Sequence, residues 1–147
     1  MIAIVKGSVE HAPAMHAIEA EAFAAAWSEI SIKYEIMRED SICIVAIEEN
    51  GEVVGHAYMR QILQEGHISN LAVKKSHRQR GIGSMLITDL IKSALEREMT
   101  GLTLEVRVSN TAAISLYEKH EFKSEGLRKN YYISPTEDGI VMWKYFD

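Results

Sequence analysis

The chain has 147 residues and a mass of 16.6 kDa, enough for one domain with a sizeable core. Its formal net charge of −5 argues against a direct nucleic-acid binder, which usually carries a basic excess, and suits a cationic substrate such as an amine. No apolar run reaches membrane-spanning length and the N-terminus does not resemble a signal peptide, so we expect one domain over residues 1–147, in the cytoplasm and without a membrane partner.

The first forty residues predict a strand and two helices. Ile2 to Val5 form the strand, and Pro13 fits the first turn of a helix whose apolar face carries Met15, Ile18 and Ala22. Ser28 is a good N-cap for the second helix. Trp27 precedes it and either packs on Ile32 as a hydrophobic staple or lines a substrate groove.

An antiparallel pair of strands follows. Ile42 to Ile47 form one strand, Asn50-Gly51 is a strong hairpin signal, and Val53 to Leu63 return. The only cysteine, Cys43, lies inside the apolar run and has no adjacent activating residue, so we expect it to be buried. The six histidines lack metal-ligand spacing, and no metal site is predicted.

The stretch from His67 to Glu98 organises the chain. His67 to Val73 predict a buried strand, and apolar residues at steps of three and four from Ile82 predict a helix. A basic loop joins them and ends in Gly81-x-Gly83. A helix N-terminus exposes unsatisfied N–H groups and a partial positive charge, and glycines let an anion approach them, so the loop is either a phosphate site or a tight turn with solvated charges.

The loop matches neither of two common phosphate motifs. It lacks the Gly-Lys-Ser/Thr of a P-loop, and it lacks the third glycine of a dinucleotide fingerprint. What remains is Arg78-x-x-Gly81-x-Gly83 after a strand ending in Leu-Ala-Val.

The last third predicts two strands around a helix and then a final strand. Gly101 ends the long helix, and Leu102 to Val106 alternate, so Glu105 lies on the opposite face from its neighbours. Ser109 or Asn110 caps a helix that runs to about Lys119. One strand then begins at Phe122, and a last strand runs from Ile140 to Phe146. The mixed order of elements predicts an α/β fold with a mixed sheet.

These motifs together resemble one family. The Arg-x-x-Gly-x-Gly loop resembles the pyrophosphate loop of the GNAT acetyltransferases, which bind acetyl-CoA. The run from Leu104 to Tyr117 reads LEVRVSNTAAISLY and resembles, more narrowly, the RimI-type ribosomal-protein alanine N-acetyltransferases, as do Trp27-Ser28 and Asn130-Tyr131-Tyr132. The resemblance implies a GNAT-type fold, with a mixed, mostly antiparallel central sheet and helices on both faces.

The resemblance also implies a role for each matching residue. Glu105 would be the general base and Tyr117 the general acid. Asn110 would bond the pantetheine arm. Apart from the resemblance, the aromatic rings of Trp27, Tyr131 and Tyr132 are candidates to contact a peptide substrate. The remaining matches would hold acetyl-CoA: Leu71, Ala72 and Val73 at its acetyl end, and Arg78, Gln79, Arg80, Gly81, Ile82, Gly83 and Ser84 at its pyrophosphate.

The chemistry is consistent with these roles. An amine must lose a proton before it attacks a thioester, and a carboxylate can take that proton directly or through water. A tyrosine hydroxyl can assist the departing thiolate. The alternatives are that Glu105 is a solvated strand residue, that Tyr117 is a core aromatic, and that Tyr131 and Tyr132 are ordinary strand residues.

One position departs from the family pattern. Glu121 stands where the family has a glycine before Phe122, and a glutamate in a left-handed C-cap costs about 1 kcal/mol or more. We therefore expect that the helix can end differently, which would affect the placement of Tyr117.

The resemblance favours a protein N-terminus as acceptor. At pH 7 roughly a tenth of an α-amine is free base, against well under a thousandth of a lysine side chain. The expected partner is a ribosomal small-subunit protein with an N-terminal alanine. The alternatives are a small-molecule amine acetyltransferase and a non-catalytic acetyl-CoA-binding module, although a module needs neither acid nor base.

Overall fold

A computed structural model describes all of residues 1–147. It contains seven strands and four helices, with single 3-10 turns before α1 and before α3. The strands are β1 (Ile2–Lys6), β2 (Ser41–Glu48), β3 (Val53–Ile62), β4 (Glu65–Val73), β5 (Gly101–Arg107), β6 (Lys123–Tyr132) and β7 (Glu137–Tyr145). The helices are α1 (Ala12–Ala22), α2 (Glu29–Met37), α3 (Ile82–Glu96) and α4 (Thr111–Lys119).

All seven strands join one sheet in the order β1-β2-β3-β4-β5-β7-β6. Every neighbouring pair is antiparallel except β4 and β5, which are parallel. The parallel pair is the point where α3 crosses over between two strands of the same sheet, because parallel neighbours need a long connection. The predicted mixed, mostly antiparallel sheet is confirmed.

The helices cover both faces of the sheet, as predicted. Side chains alternate along β2, so Ile44 and Ala46 join one buried cluster with α3, while Cys43 and Val45 join another with α1 and α2. Cys43 is buried as expected. Burial raises the pKa of its thiol to about 12, so the group is an inert core residue.

The element boundaries follow the predictions with small differences. Ser28 caps α2 by accepting from the Ser31 amide at 3.1 Å. The long helix ends at Glu96 rather than Glu98, and β7 begins at Glu137 because polar residues there still pair with β6. None of the four helices combines the length and apolar character that a membrane span requires.

Candidate active site

A cleft opens where β4 and β5 separate. The two strands pair only from Glu65↔Gly101 to His67↔Thr103, after which β4 stays with β3 and β5 stays with β7. The gap between them is a cavity of 540 Å³. Backbone N–H and C=O groups along both facing edges therefore lack a strand partner and can bind a ligand that lies between them.

The β4 side of the cleft contains a bulge. Tyr58 pairs with Asn70 and Met59 with Ile68, so Ser69 is left without a partner. Ser69, Asn70 and Leu71 all line the cleft. The bulge thus turns the open backbone edge of β4 towards the cavity, immediately before the segment predicted to hold an acetyl group.

The other two residues of that segment lie outside the cavity. Ala72 is buried against α1, and Val73 ends the strand. The carbonyl of Val73 accepts from Nε of Arg78 at 3.3 Å. Their side chains therefore build the strand and its junction with the loop, while any contact they make with a ligand is through the backbone.

The β5 side of the cleft carries a carboxylate in contact with a histidine. Glu105 points into the cavity with its side chain 13% exposed, and its Oε1 accepts from Nε2 of His67 at 2.8 Å. The contact fixes one carboxylate oxygen, and the charge of the carboxylate also acts on Tyr131 across the cleft. Sequence reasoning placed His67 only at the start of a strand and missed this contact, which joins positions 38 residues apart.

Tyr117 reaches the cleft from α4. Its ring packs on Phe122 at a centroid distance of 5.7 Å, and the residue is 7% exposed at the cavity wall. Burial, and secondarily the neighbouring Tyr132, raise the pKa of Tyr117. The hydroxyl is therefore protonated at neutral pH and can donate a hydrogen bond into the cleft.

Helix α4 is defined at both ends. Asn110, one of the two predicted caps, accepts from the Ala113 amide at 3.1 Å. At the other end Phe122 N–H bonds to the Tyr117 carbonyl and Glu121 N–H to the Glu118 carbonyl. These two bonds form a Schellman motif.

The expectation that Glu121 can divert the helix end is wrong. Glu121 adopts the left-handed conformation itself, with φ of +69°. The two Schellman bonds and the packing of Phe122 on Tyr117 hold the backbone there despite the steric cost of a Cβ. Tyr117 therefore keeps its place at the cleft.

Aromatic side chains form the two outer walls. Trp27 lines the cavity from the α1–α2 connection and also packs on the core, with its ring stacked on Tyr58 at 5.1 Å and an interplanar angle of 5°. Tyr131 and Tyr132 line it from the β6–β7 hairpin and meet edge to face. Burial, then the charge of Glu105, raise the pKa of Tyr131.

The predicted phosphate loop lies outside this cavity, between β4 and α3. Gly81 is the N-cap of α3 with φ of +80°, no side chain caps the helix, and a Cβ built on Gly81 would meet nothing within 4 Å. Arg78, Gln79 and Arg80 are exposed around it. An uncapped helix N-terminus with open space and two guanidinium groups fits an anionic diphosphate.

The rest of the loop faces α4 or the core. Ile82 is buried, and a Cβ on Gly83 would approach the Leu116 side chain to 3.0 Å. Ser84 Oγ lies 3.0 Å from His120 Nε2. The first turn of α3 is therefore packed against α4, which links the loop to the helix that carries Tyr117.

A second buried carboxylate was missed by the sequence analysis. Glu19 is fully buried on α1 and bonds to side chains of His56, Tyr58 and Asn70 and to the Trp27 amide. Its signal in the sequence is its position four residues after Met15, on the apolar face of the helix.

The cleft thus brings together part of the predicted site. Glu105, Tyr117, Asn110, Leu71, Trp27, Tyr131 and Tyr132 line one cavity, while Ala72, Val73 and residues 78–84 lie at the end of β4 and the start of α3. No cluster of three or more His, Cys, Asp or Glu side chains suited to a metal ion occurs.

Comparisons with known proteins agree with this geometry. Residues 12–122 match the model of the acetyltransferase (GNAT) family. A [ribosomal protein bS18]-alanine N-acetyltransferase of Escherichia coli K12 is 35% identical over 127 residues, which cover 86% of this chain and 83% of the relative.

Two solved structures have the same fold. The crystal structure of the ribosomal-protein-S18-alanine N-acetyltransferase from Escherichia coli superposes with a TM-score of 0.90 at 33% identity, covering 99% of this chain and 94% of that one. Ard1 from Thermoplasma volcanium gives a TM-score of 0.89 at 25% identity, covering 99% and 98%. The chain therefore belongs to the acetyltransferase (GNAT) family and is an acetyl-CoA-dependent N-acetyltransferase.

Proposed function

We propose that this chain acetylates the α-amine of a protein N-terminus, with Glu105 as general base and Tyr117 as general acid. One observation carries the proposal: a carboxylate on β5 and a protonated tyrosine hydroxyl on α4 line the same cleft, at the point where β4 and β5 separate. A binding module would need neither group.

The amine reacts at the Glu105 side of the cleft. Glu105 takes a proton from the ammonium form, directly or through one water, and the free amine can then attack. His67 holds one carboxylate oxygen at 2.8 Å, and the other oxygen takes the proton. When bound, acetyl-CoA supplies a thioester whose carbonyl carbon accepts the amine.

Groups on other elements protonate the leaving sulfur and stabilise the carbonyl oxygen. Tyr117 donates its proton to the departing thiolate. A backbone N–H on the open edge of β4, near Leu71, stabilises negative charge that develops on the carbonyl oxygen. Asn110 uses Oδ1 for its own helix, which leaves its amide Nδ2 to donate to the pantetheine arm.

The remainder of the donor is held by backbone and charge. Leu71, Ala72 and Val73 bond the acetyl and pantetheine end through main-chain groups. The residues from Arg78 to Ser84 wrap the pyrophosphate at the uncapped start of α3. Neither set needs a metal.

The acceptor is a peptide because aromatic walls flank the catalytic pair on both sides. Trp27, Tyr131 and Tyr132 offer rings and hydroxyls to a backbone that enters between the α1–α2 connection and the β6–β7 hairpin. The α-amine is also the easier nucleophile at neutral pH. By resemblance to the bS18-alanine N-acetyltransferases, the target is the N-terminal alanine of a ribosomal small-subunit protein.

The test is acetylation of a peptide panel, with mass spectrometry to locate the acetyl group. The panel contains an alanine-initiated peptide with an internal lysine, the same peptide with a blocked N-terminus, and a polyamine. We expect acetyl on the free N-terminus and at most a trace elsewhere. Acetyl chiefly on lysine would contradict the N-terminal assignment, and preference for the polyamine would establish a small-molecule enzyme instead.

A further inference from the structure

A fully buried carboxylate connects the substrate wall to the β4 bulge. Glu19 accepts through Oε2 from the Tyr58 hydroxyl and from His56 Nε2, the latter at 2.8 Å. Through Oε1 it accepts from the Trp27 amide and from Asn70 Nδ2, both at 3.2 Å. Two bonds to each oxygen fill the acceptor capacity of the carboxylate.

Two partners of Glu19, the Trp27 amide and Asn70 Nδ2, can only donate, and the Tyr58 hydroxyl and His56 Nε2 donate to an ionised carboxylate. Burial alone would raise the pKa of Glu19, but the hydrogen bonds from His56 and Tyr58 outweigh it, and the pKa is lowered. The group is therefore ionised at neutral pH, inside the protein.

Stability does not by itself explain a charge at this position. Buried ionic groups can often be replaced by apolar residues of similar volume without loss of stability, because desolvation offsets their interactions. The neighbouring positions on this face of α1, Met15 and Ile18, are apolar and fully packed. A polar residue at Glu19 is explained better by what its four hydrogen bonds hold in place.

Two of the held groups belong to the cleft. Trp27 lines the wall that faces the incoming amine, and its ring stacks on Tyr58. Asn70 lines the opposite part of the cavity, between the unpaired Ser69 and Leu71. One buried carboxylate thus bonds to Trp27, on the side of the cleft that receives the amine, and to Asn70, on the side that holds the acetyl group.

We propose that Glu19 is a positioning residue that sets the spacing between the Trp27 wall and the β4 bulge, and so aligns the amine with the thioester. This inference rests on the proposed function. Misplacement of reacting groups by about 1 Å can cost roughly a hundredfold in rate, so loss of this link should reduce catalysis without removing any reacting group.

Glu19→Gln is the direct test, because it keeps the shape and turns one acceptor into a donor. We expect kcat/KM for the peptide to fall roughly 10- to 100-fold, in kcat as well as KM. The Kd of acetyl-CoA should change less than about twofold, because the start of α3 does not contact Glu19. Ile18→Ala is the matched control: it weakens the same helix face and leaves the hydrogen bonds intact, so it should lower the melting temperature but not kcat.

A reciprocal exchange distinguishes positioning from general damage. Adding Asn70→Asp to Glu19→Gln lets the glutamine amide donate to the new carboxylate and restores the α1–β4 bond with its polarity reversed. The Trp27 N–H, which shares that oxygen in the wild type, still lacks its acceptor, so the recovery is partial. We expect the kcat/KM of the double variant to be about tenfold higher than that of Glu19→Gln. Asn70→Asp alone places two carboxylates against each other, so its kcat/KM should be lower than that of Glu19→Gln or of the double variant.

The outcomes separate the two proposals. An unchanged kcat/KM in Glu19→Gln overturns the positioning role. So does a fall of kcat/KM in Ile18→Ala equal to that in Glu19→Gln when the two variants have similar melting temperatures. If Glu19→Gln does not fold, Tyr58→Phe is the second variant, because it keeps the stacked ring and removes one bond to Glu19. We expect its kcat/KM to fall several-fold, and an unchanged kcat/KM would contradict the role. If the wild type acetylates only a small amine, the peptide assignment fails, and the same variants assayed on that amine still decide the role of Glu19.

Discussion

Two consecutive strand–helix units form the two sides of the cleft, and they differ at their helix N-termini. In the first, β4 leads through a glycine loop into α3, whose start has no side-chain cap. In the second, β5 leads into α4, whose start is capped by Asn110. Similar local topology therefore leaves the helix start without a side-chain cap in one unit, whereas in the other the Asn110 side chain accepts from the Ala113 N–H.

The difference assigns separate tasks to the two units. An uncapped helix start attracts an anion through its N–H groups and dipole, so the β4–α3 unit suits the phosphates of the donor. The β5–α4 unit carries Glu105 and Tyr117, so it suits proton transfer. Substitutions in the β4–α3 unit should change donor affinity, and substitutions of Glu105 or Tyr117 in the β5–α4 unit should change turnover.

Tyr117→Phe should give the largest effect, and it tests the β5–α4 unit. The change removes the hydroxyl and keeps the ring that packs on Phe122. Turnover should fall by roughly 10²–10⁴ if proton donation limits the chemistry, with donor affinity nearly unchanged. Tyr145→Phe, on an exposed tyrosine of β7, is the control and should be silent. Unaltered single-turnover rates in Tyr117→Phe would assign it a packing role only.

Acetyl-CoA binding tests the β4–α3 unit. At about a hundred times its Kd the donor should stabilise the fold by roughly 2.7 kcal/mol, seen as a higher melting midpoint. Arg80→Glu should raise Kd several-fold because it places a negative charge beside the pyrophosphate. Lys33→Glu, the same charge change on an exposed residue of α2, should leave Kd unchanged. An equal change of Kd in the two variants would show that the loop is not the phosphate site.

Asn110→Asp separates the cap from donor binding. Aspartate caps a helix as well as asparagine, so the melting temperature without ligand should hold. It lacks the Nδ2 donor, so acetyl-CoA affinity should fall by about 0.5–1.5 kcal/mol, the usual net contribution of one hydrogen bond. Calorimetric titration measures this. Wild-type affinity would limit Asn110 to its capping role.

Glu121→Gly should give the smallest effect and should be stabilising. Glycine removes the steric cost of φ at +69°, which is partly offset by its greater freedom when unfolded, for a net gain of about 0.5–1 kcal/mol. Glu118→Gly, inside the same helix, should instead destabilise by a similar amount. Urea unfolding of the pair checks both signs. A loss of stability in Glu121→Gly would mean that the glutamate side chain makes a favourable contact there.

Local features of the site were predictable from the sequence. The strand, glycine loop and helix around residues 67–98, the cap at Asn110 and the orientation of Glu105 all follow from patterns within about ten residues. Such patterns depend on periodicity and backbone conformation, which neighbouring residues determine.

Contacts between distant segments were not predictable. Glu19 meets His56, Tyr58 and Asn70 across 37 to 51 positions, and His67 meets Glu105 across 38. These contacts depend on the order of strands in the sheet and on the early separation of β4 from β5. Alternation along a strand specifies which face a side chain occupies but not which partner lies beside it.

The central claim, that Glu105 is the base for a peptide α-amine, is tested most directly by pH–rate profiles of wild type and Glu105→Gln on one alanine-initiated peptide. The variant keeps the shape and loses the basic carboxylate. We expect it to lose most activity near pH 7, where most amine is protonated, and to regain part of it as the amine deprotonates near pH 8. Parallel profiles for the two proteins would contradict the account.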